Sequence, residues 1–271
     1  MKAALDVDRV SRLIAEAAAE EILPRHAKLA AGDIREKAPG DLVTIADEAM
    51  EHRLTGALQA LLPGSAVVGE EAAARDPAVL RRLETDLPVW IIDPVDGTAN
   101  FAKGEGDFGV MVALAVEGAT VAGWIHDPLG RRMASAERGA GAWLDGRRLS
   151  VSDVPVDPAE LSGTLLAGYY GDRELGKRVQ ERRALVRALK SRRCAASEYL
   201  RLATGEMHFA LFTKLMPWDH AAGVLIHAEA GGYNAYLDGE SYRPARVAGP
   251  ALLLAPDRAS WQALHDRLIR P

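Results

Sequence analysis

The sequence predicts a mixed fold, α+β in its first half and α/β in its second, and three observations point there. Near the amino terminus, apolar residues recur at three- and four-residue steps, the period of one helix face. Short Val- and Ile-rich runs stop abruptly at carboxylates, as strands do when they leave a core. From about Val151 onward, strand-like and helix-like segments alternate, the pattern of an α/β lobe. A chain of 271 residues, 48% of them hydrophobic, is long enough for two such lobes. The Pro- and Asp-rich stretch "SVSDVPVDPAEL" sets the expected boundary, giving lobes at 1–150 and 151–271.

The elements follow in order. Val7, Val10, Leu13, Ile14, Ala17 and Ala18 form one apolar face, and Pro24 ends that helix. The segment "AAGDIREKAPGDLV" reads as a polar connection, and Met50, Leu54, Leu58, Leu61 and Leu62 mark a second helix after it. "AVV" before Gly69 and "VWII" before Asp93 read as strands, and "DFGVMVALAVEGATVAGWIHDP" as a hairpin. In the second half the expected series is a strand at "GTLLAGYY", a charged helix around "RVQERRALVRALKS", a helix at "SEYLRLATG", a strand at "HFALF", and a helix from near Asp219 to Gly231 and Gly232.

Composition excludes several function classes. A net charge of −5, with acids and bases interspersed, gives no footprint for nucleic acid or an anionic membrane. No apolar run approaches the roughly 20 residues of a spanning helix. The first residues carry acids throughout and do not read as a signal peptide. Cys194 is the only cysteine, so no intrachain disulfide forms and a reducing cytoplasm is expected. Six histidines, His26, His52, His126, His208, His220 and His227, lack ligand spacing and read as structural or exposed. Trp90, Trp124, Trp143 and Trp218 read as core anchors.

The acids at element ends carry the chemistry. Asp47 closes "DLVTIAD", Glu70 and Glu71 follow Gly69, Asp93 and Asp96 lie in "WIIDPVDGTANF", and Asp219 lies in "MPWDHAAG". Each has a plain structural reading. Thr44 and Asp47 have capping-box spacing, Asp219 suits an N-cap, and Glu70 and Glu71 suit the positive end of a helix. Taken together, carboxylates after neighbouring strand ends converge on one crevice, where unpaired negative charge is costly. Hard divalent cations prefer such oxygen ligands, and magnesium also takes substrate phosphate oxygens. Gly97 lets the backbone approach a ligand closely, and the N–H groups of the turn it opens can hold phosphate.

"GEE" at 69–71, "WIIDPVDGTANF" at 90–101 and "WDHAAGVLIHAEAGG" at 218–232 resemble, in order and spacing, the inositol monophosphatase family of magnesium-dependent, lithium-sensitive phosphatases. "DLVTIAD" is similar to that family's segment before its second helix, with Lys37 upstream where the family often has a lysine. The resemblance implies the layered α-β-α-β-α sandwich shared with fructose-1,6-bisphosphatase, with most metal ligands in the first lobe and a homodimeric assembly. By the same resemblance Glu70, Asp93 and the Val95 carbonyl hold one Mg2+, and Asp93, Asp96 and Asp219 a second, with room for a third, weaker ion at Glu70. Thr98 and Asp47 orient the attacking water with Glu70 near it, and the N–H groups of Gly97 and Thr98 bind phosphate.

The sequence departs from that pattern in the expected substrate pocket. Phe212 stands where animal-type relatives have an inositol-binding glutamate, seven residues before Asp219, and Arg193 and Cys194 stand where the family commonly has Gly-Thr. Arg193, Cys194, Ala195, Phe212 and Lys214 are the expected pocket residues. The implied activity is hydrolysis of a small phosphomonoester, with myo-inositol monophosphate leading. Histidinol phosphate, 3′-phosphoadenosine 5′-phosphate and a sugar bisphosphate are its enzymatic alternatives, and a metal-binding regulatory partner protein is the non-enzymatic one.

Overall fold

The structure is a computed structural model that describes residues 5–151, 157–166 and 173–270. Its helices and strands run α1 (Val7–Glu21), β1 (Ile34–Ala38), β2 (Asp41–Thr44), α2 (Ile45–Leu61), β3 (Ala66–Gly69), α3 (Glu70–Arg75), β4 (Val89–Asp96), α4 (Thr98–Ala102), β5 (Gly109–Val116), β6 (Ala119–Asp127), β7 (Arg132–Glu137), β8 (Gly141–Leu144) and β9 (Arg147–Arg148). The second half continues with β10 (Ser162–Leu166), α5 (Arg173–Arg182), β11 (Arg187–Leu189), α6 (Ala195–Ala203), β12 (Phe209–Phe212), α7 (Pro217–Glu229), β13 (Tyr233–Tyr236), β14 (Leu252–Ala255) and α8 (Arg258–Leu268).

Strands β3 to β9 form one sheet in chain order, parallel only at β3 and β4, while β11-β10-β12-β14-β13 form a second, mixed sheet. Period-two alternation decides how these stack. On β4 and β5, Trp90, Ile92, Val110, Val112 and Leu114 face an outer layer with Val10 and Ile14 of α1 and Met50, Leu54 and Leu58 of α2. Their neighbours Val89, Ile91, Met111 and Ala113 face inward to α6 and α7, where they meet Ala210, Phe212, Leu252 and Leu254 of the second sheet. Phe209, Leu211 and Leu253 face the other way, onto α5 and α8. The layers are therefore α-β-α-β-α, the sandwich the resemblance implied.

Several expectations need correction. "IREKAPGDLV" is a β1–β2 hairpin, stabilised by cross-strand pairing that a local reading does not see. The charged helix ends at Arg182, and Arg187–Leu189 pair with β10 instead. Trp90 and Trp124 are fully buried, but Trp143 is 39% exposed on β8 with Arg148 over its ring. Residues 152–156 of the expected boundary and 167–170 of the expected "GTLLAGYY" strand lie outside the described residues. Among the described residues, no helix is long and apolar enough to cross a membrane.

Candidate active site

Two parallel strands end side by side. Gly69 of β3 pairs with Ile92 of β4, so Glu70, the first residue of α3, emerges next to Asp93. Strand β4 then breaks register against β5: Asp93 pairs with Met111 and Asp96 with Gly109, three steps on one strand against two on the other. One extra residue around Pro94 and Val95 makes a bulge, the place where a strand tolerates proline. Its consequence is chemical. Residues three apart on a regular strand point to opposite faces, whereas the bulge turns Asp96 back toward α6, on the same inner side as Asp93.

Gly97 follows with φ +82°, and a Cβ there would lie 2.6 Å from the Asp107 carbonyl oxygen. Only glycine fits that backbone. The turn it opens leads into α4, whose first N–H groups have no partner within the helix. Gly97→Ala should destabilise the fold by at least about 1–2 kcal/mol from the left-handed conformation alone, with the clash adding to that. A thermal melt matching wild type would contradict the strained turn.

The Thr98 hydroxyl lies 2.9 Å from the Val95 carbonyl and 3.1 Å from Asp47 Oδ1. It has one proton for these two acceptors. Asp47 Oδ2 accepts from the Thr44 N–H at 2.9 Å and hydroxyl at 2.5 Å. Asp47 is thus both the capping-box residue of α2 and a partner of Thr98. Burial pushes its carboxyl up to about 7, against the Thr44 hydrogen bonds and with help from the charges of Glu70 and Glu71.

Asp219 does not cap α7, because Met216 is the N-cap and Pro217 opens the helix. It stands in the first turn of that helix. Asp96 Oδ2 accepts from the Cys194 thiol at 2.9 Å and the Ala196 N–H at 2.6 Å. Burial first, then the charges of Glu70, Asp96, Asp219 and Asp47, drive the Asp93 carboxyl well above the usual range. Asp96 and Asp219 shift the same way, again chiefly through burial. Lys37 of the β1–β2 hairpin answers part of this charge, its ammonium 2.8 Å from both Glu70 Oε1 and Glu71 Oε1. Burial opposes the Lys37 charge, yet those carboxylates hold its pKa above the usual value.

These residues fit a hard cation. Asp93 Oδ1 is buried and has no hydrogen-bond partner, a costly state for a carboxylate oxygen. Among the described residues no three His, Cys, Asp or Glu side chains already form a ligand cage. The charges of Asp96 and Glu70 reach Asp219 as well as Asp93, and a divalent ion would relieve that repulsion. The donors are oxygens, and the one nearby thiol is held protonated by burial and by Asp96. Such a set suits an alkaline-earth ion rather than zinc.

The expected pocket residues separate. Cys194 meets Asp96 as described, and Ala195 opens α6. Arg193 is exposed, with φ +56° and its N–H on Ser191 Oγ at 2.9 Å. Lys214 is exposed, and its charge favours ionised Asp219. Phe212 corrects the expectation. It is 4% exposed in the middle layer, stacked on Tyr199 at 5.4 Å and edge-on to His220 at 4.8 Å, so it is core behind Asp219 rather than pocket wall. His220 Nε2 meets the Lys214 carbonyl at 2.8 Å and Nδ1 meets the Tyr199 hydroxyl at 2.9 Å. A carbonyl only accepts, so Nε2 carries the proton and Nδ1 accepts from Tyr199. His220 is thus structural, as its lack of ligand spacing suggested, whereas Glu51 escaped the sequence reading; the available signal was an acid one turn after Asp47 on an otherwise apolar helix face.

Comparison with known proteins gives the same direction. A profile of the inositol monophosphatase family matches residues 5–270. An inositol-1-monophosphatase of Mesorhizobium japonicum is 36% identical over 208 residues, 75% of each chain. A Thermotoga maritima protein named fructose-1,6-bisphosphatase/inositol-1-monophosphatase is 30% identical, over 71% of this chain and 70% of that one. The solved extragenic suppressor protein suhB of Bartonella henselae superposes with a TM-score of 0.81 over 97% of this chain and 98% of its own, at 24% identity, which is a likeness of fold. With a profile match from end to end and relatives above 30% identity, the chain belongs to the inositol monophosphatase family and is a phosphoric monoester hydrolase.

Proposed function

We propose that the protein hydrolyses a small phosphomonoester with Mg2+, with myo-inositol monophosphate as the leading substrate. The observation that carries this reading is the buried, unpartnered Asp93 oxygen among Glu70, Asp96 and Asp219. Glu70, Asp93 and the Val95 carbonyl would hold one ion, and Asp93, Asp96 and Asp219 a second, with room for a third, weaker ion at Glu70. When bound, the ions supply a more acidic water and neutralise charge on the phosphate and the leaving oxygen. The chain does the rest. Asp47, fixed by Thr44, accepts the Thr98 proton, which leaves a Thr98 lone pair to orient the attacking water. The Gly97 and Thr98 N–H groups receive phosphate oxygens at the start of α4. We read the protein as a cytoplasmic homodimer, to be checked by light scattering.

A sugar bisphosphate is the second reading, supported by the exposed cations Arg193 and Lys214 and by the name of the Thermotoga relative. Phosphate release should be measured over inositol 1-phosphate, fructose 1,6-bisphosphate, histidinol phosphate and 3′-phosphoadenosine 5′-phosphate. Activity should need Mg2+, fall again at high Mg2+, and be inhibited by Li+ uncompetitively with substrate. Full turnover in a chelator, or zinc dependence with indifference to magnesium, would reject the assignment. Metal binding without turnover of any ester would favour the regulatory-partner reading instead.

A further inference from the structure

Helix α2 sends two buried carboxylates toward the site from successive turns, Asp47 and Glu51. Asp47 meets Thr98. Glu51, 4% exposed, reaches the start of another helix: Oε2 accepts the Glu71 N–H at 2.7 Å and Oε1 the Ala72 N–H at 2.8 Å. These are first-turn donors of α3, and the N-cap residue of that helix, Gly69, has no side chain to satisfy them. An acid from a neighbouring helix serves as the cap.

Gly69 shows how tightly that carboxylate is fitted. A Cβ there would lie 2.3 Å from Glu51 Oε2 and 2.4 Å from its carboxyl carbon. The strand end must be glycine for the acid to reach the α3 N–H groups. Glu70 lies between the glycine and the clamped N–H of Glu71. Its carboxylate tip is held by Lys37 at 2.8 Å, and its backbone is held by Glu51 through the next residue.

We propose that Glu51 is a positioning residue for Glu70, and that Gly69 is a glycine to accommodate it. By clamping the first turn of α3, Glu51 fixes where Glu70 presents its carboxylate, while Asp47, one turn earlier on the same rigid helix, fixes Thr98. One helix thereby sets both the acid beside Asp93 and the Thr98 hydroxyl. The proposal rests on the reading of Glu70 as a cation ligand.

Mg2+ binding by calorimetry, together with kcat and KM at saturating Mg2+, tests it on Glu51→Gln and Gly69→Ala. Glu51→Gln keeps the size but replaces one acceptor oxygen with a donor facing an N–H. Gly69→Ala displaces the carboxylate without removing it. Both should raise the Mg2+ dissociation constant roughly tenfold, the usual scale for groups that support a metal ligand. Excess Mg2+ should restore most of kcat, and KM for substrate should stay put. Adding Gly69→Ala to Glu51→Ala should cost little more than Glu51→Ala alone, since the atoms the new Cβ would strike are gone. A purely structural role would lower the melting temperature of these variants and leave the Mg2+ affinity of the folded protein unchanged, and that result overturns the proposal. So does simple additivity of the two defects. If Glu51→Ala does not fold, the two single variants still decide through their Mg2+ affinity. Glu70→Gln separates the two readings: intact Mg2+ binding there would reject Glu70 as a ligand, whereas lost binding there with normal binding in Glu51→Gln would reject only the positioning role.

Discussion

Asp93→Asn is expected to leave a folded protein with turnover reduced by about 100-fold or more, the scale on which loss of one transition-state contact is felt. Asp93 stands where the fields of Glu70, Asp96, Asp219 and Asp47 overlap, and one of its oxygens has no partner. An amide there removes a charge and a strong oxygen donor at once. The same substitution relieves repulsion in the metal-free protein, so the melting temperature without Mg2+ should hold or rise. The increase that Mg2+ gives wild type should disappear. Turnover within about tenfold of wild type would show that Asp93 is not central to the site.

The second large effect is the pH dependence of stability without metal. Burial raises Asp47 from an ordinary value of 3.8 to about 7, and Asp93 and Asp219 are raised as well. For an acid whose folded pKa is raised, the stability it contributes is fully present below the unfolded value and is lost as pH climbs through the folded one. Asp47 alone then accounts for on the order of 4 kcal/mol between about pH 4 and 7. Lys37 does not offset the slope, because its pKa is also raised and it stays charged across that window. The metal-free melting temperature should therefore fall from pH 5 to 8. Mg2+ should add more stability at pH 8 than at pH 5, since it neutralises charges that protons no longer cover. A metal-free melting temperature that climbs over this range, or equal Mg2+ increments at both ends, would contradict a buried carboxylate cluster.

Much of this was legible in the amino-acid order, because the relevant physics is local. The 3.6 period of α1 and α2, the β3 and β4 runs, and the β5–β6 hairpin are patterns within a few residues of one another, as is the Thr44–Asp47 capping box. The motifs around Glu70, Asp93, Gly97 and Asp219 marked the family before any contact was known. Other features depend on partners distant in sequence. Arg187–Leu189 leave the helical reading because β10 offers them a strand edge, and residues 34–44 pair because their hairpin can close beside Glu70. Phe212 was expected in the pocket, but the stacking of Tyr199 and His220 draws it into the middle layer.

By itself, then, the sequence determined which family the chain resembles, where most of its helices and strands lie, and which acids are candidates for the site, since spacing and residue chemistry carry that information along the chain. Only the tertiary structure decided which way those groups face. The extra residue at Pro94 and Val95 becomes a bulge against β5 and turns Asp96 to the side of Asp93. Glu51, an unremarked acid on α2, becomes the cap of α3 because Gly69 leaves space for it. Register and burial are settled by contacts between distant segments, and a carboxylate becomes a ligand or a cap according to the donors and charges that those contacts bring beside it.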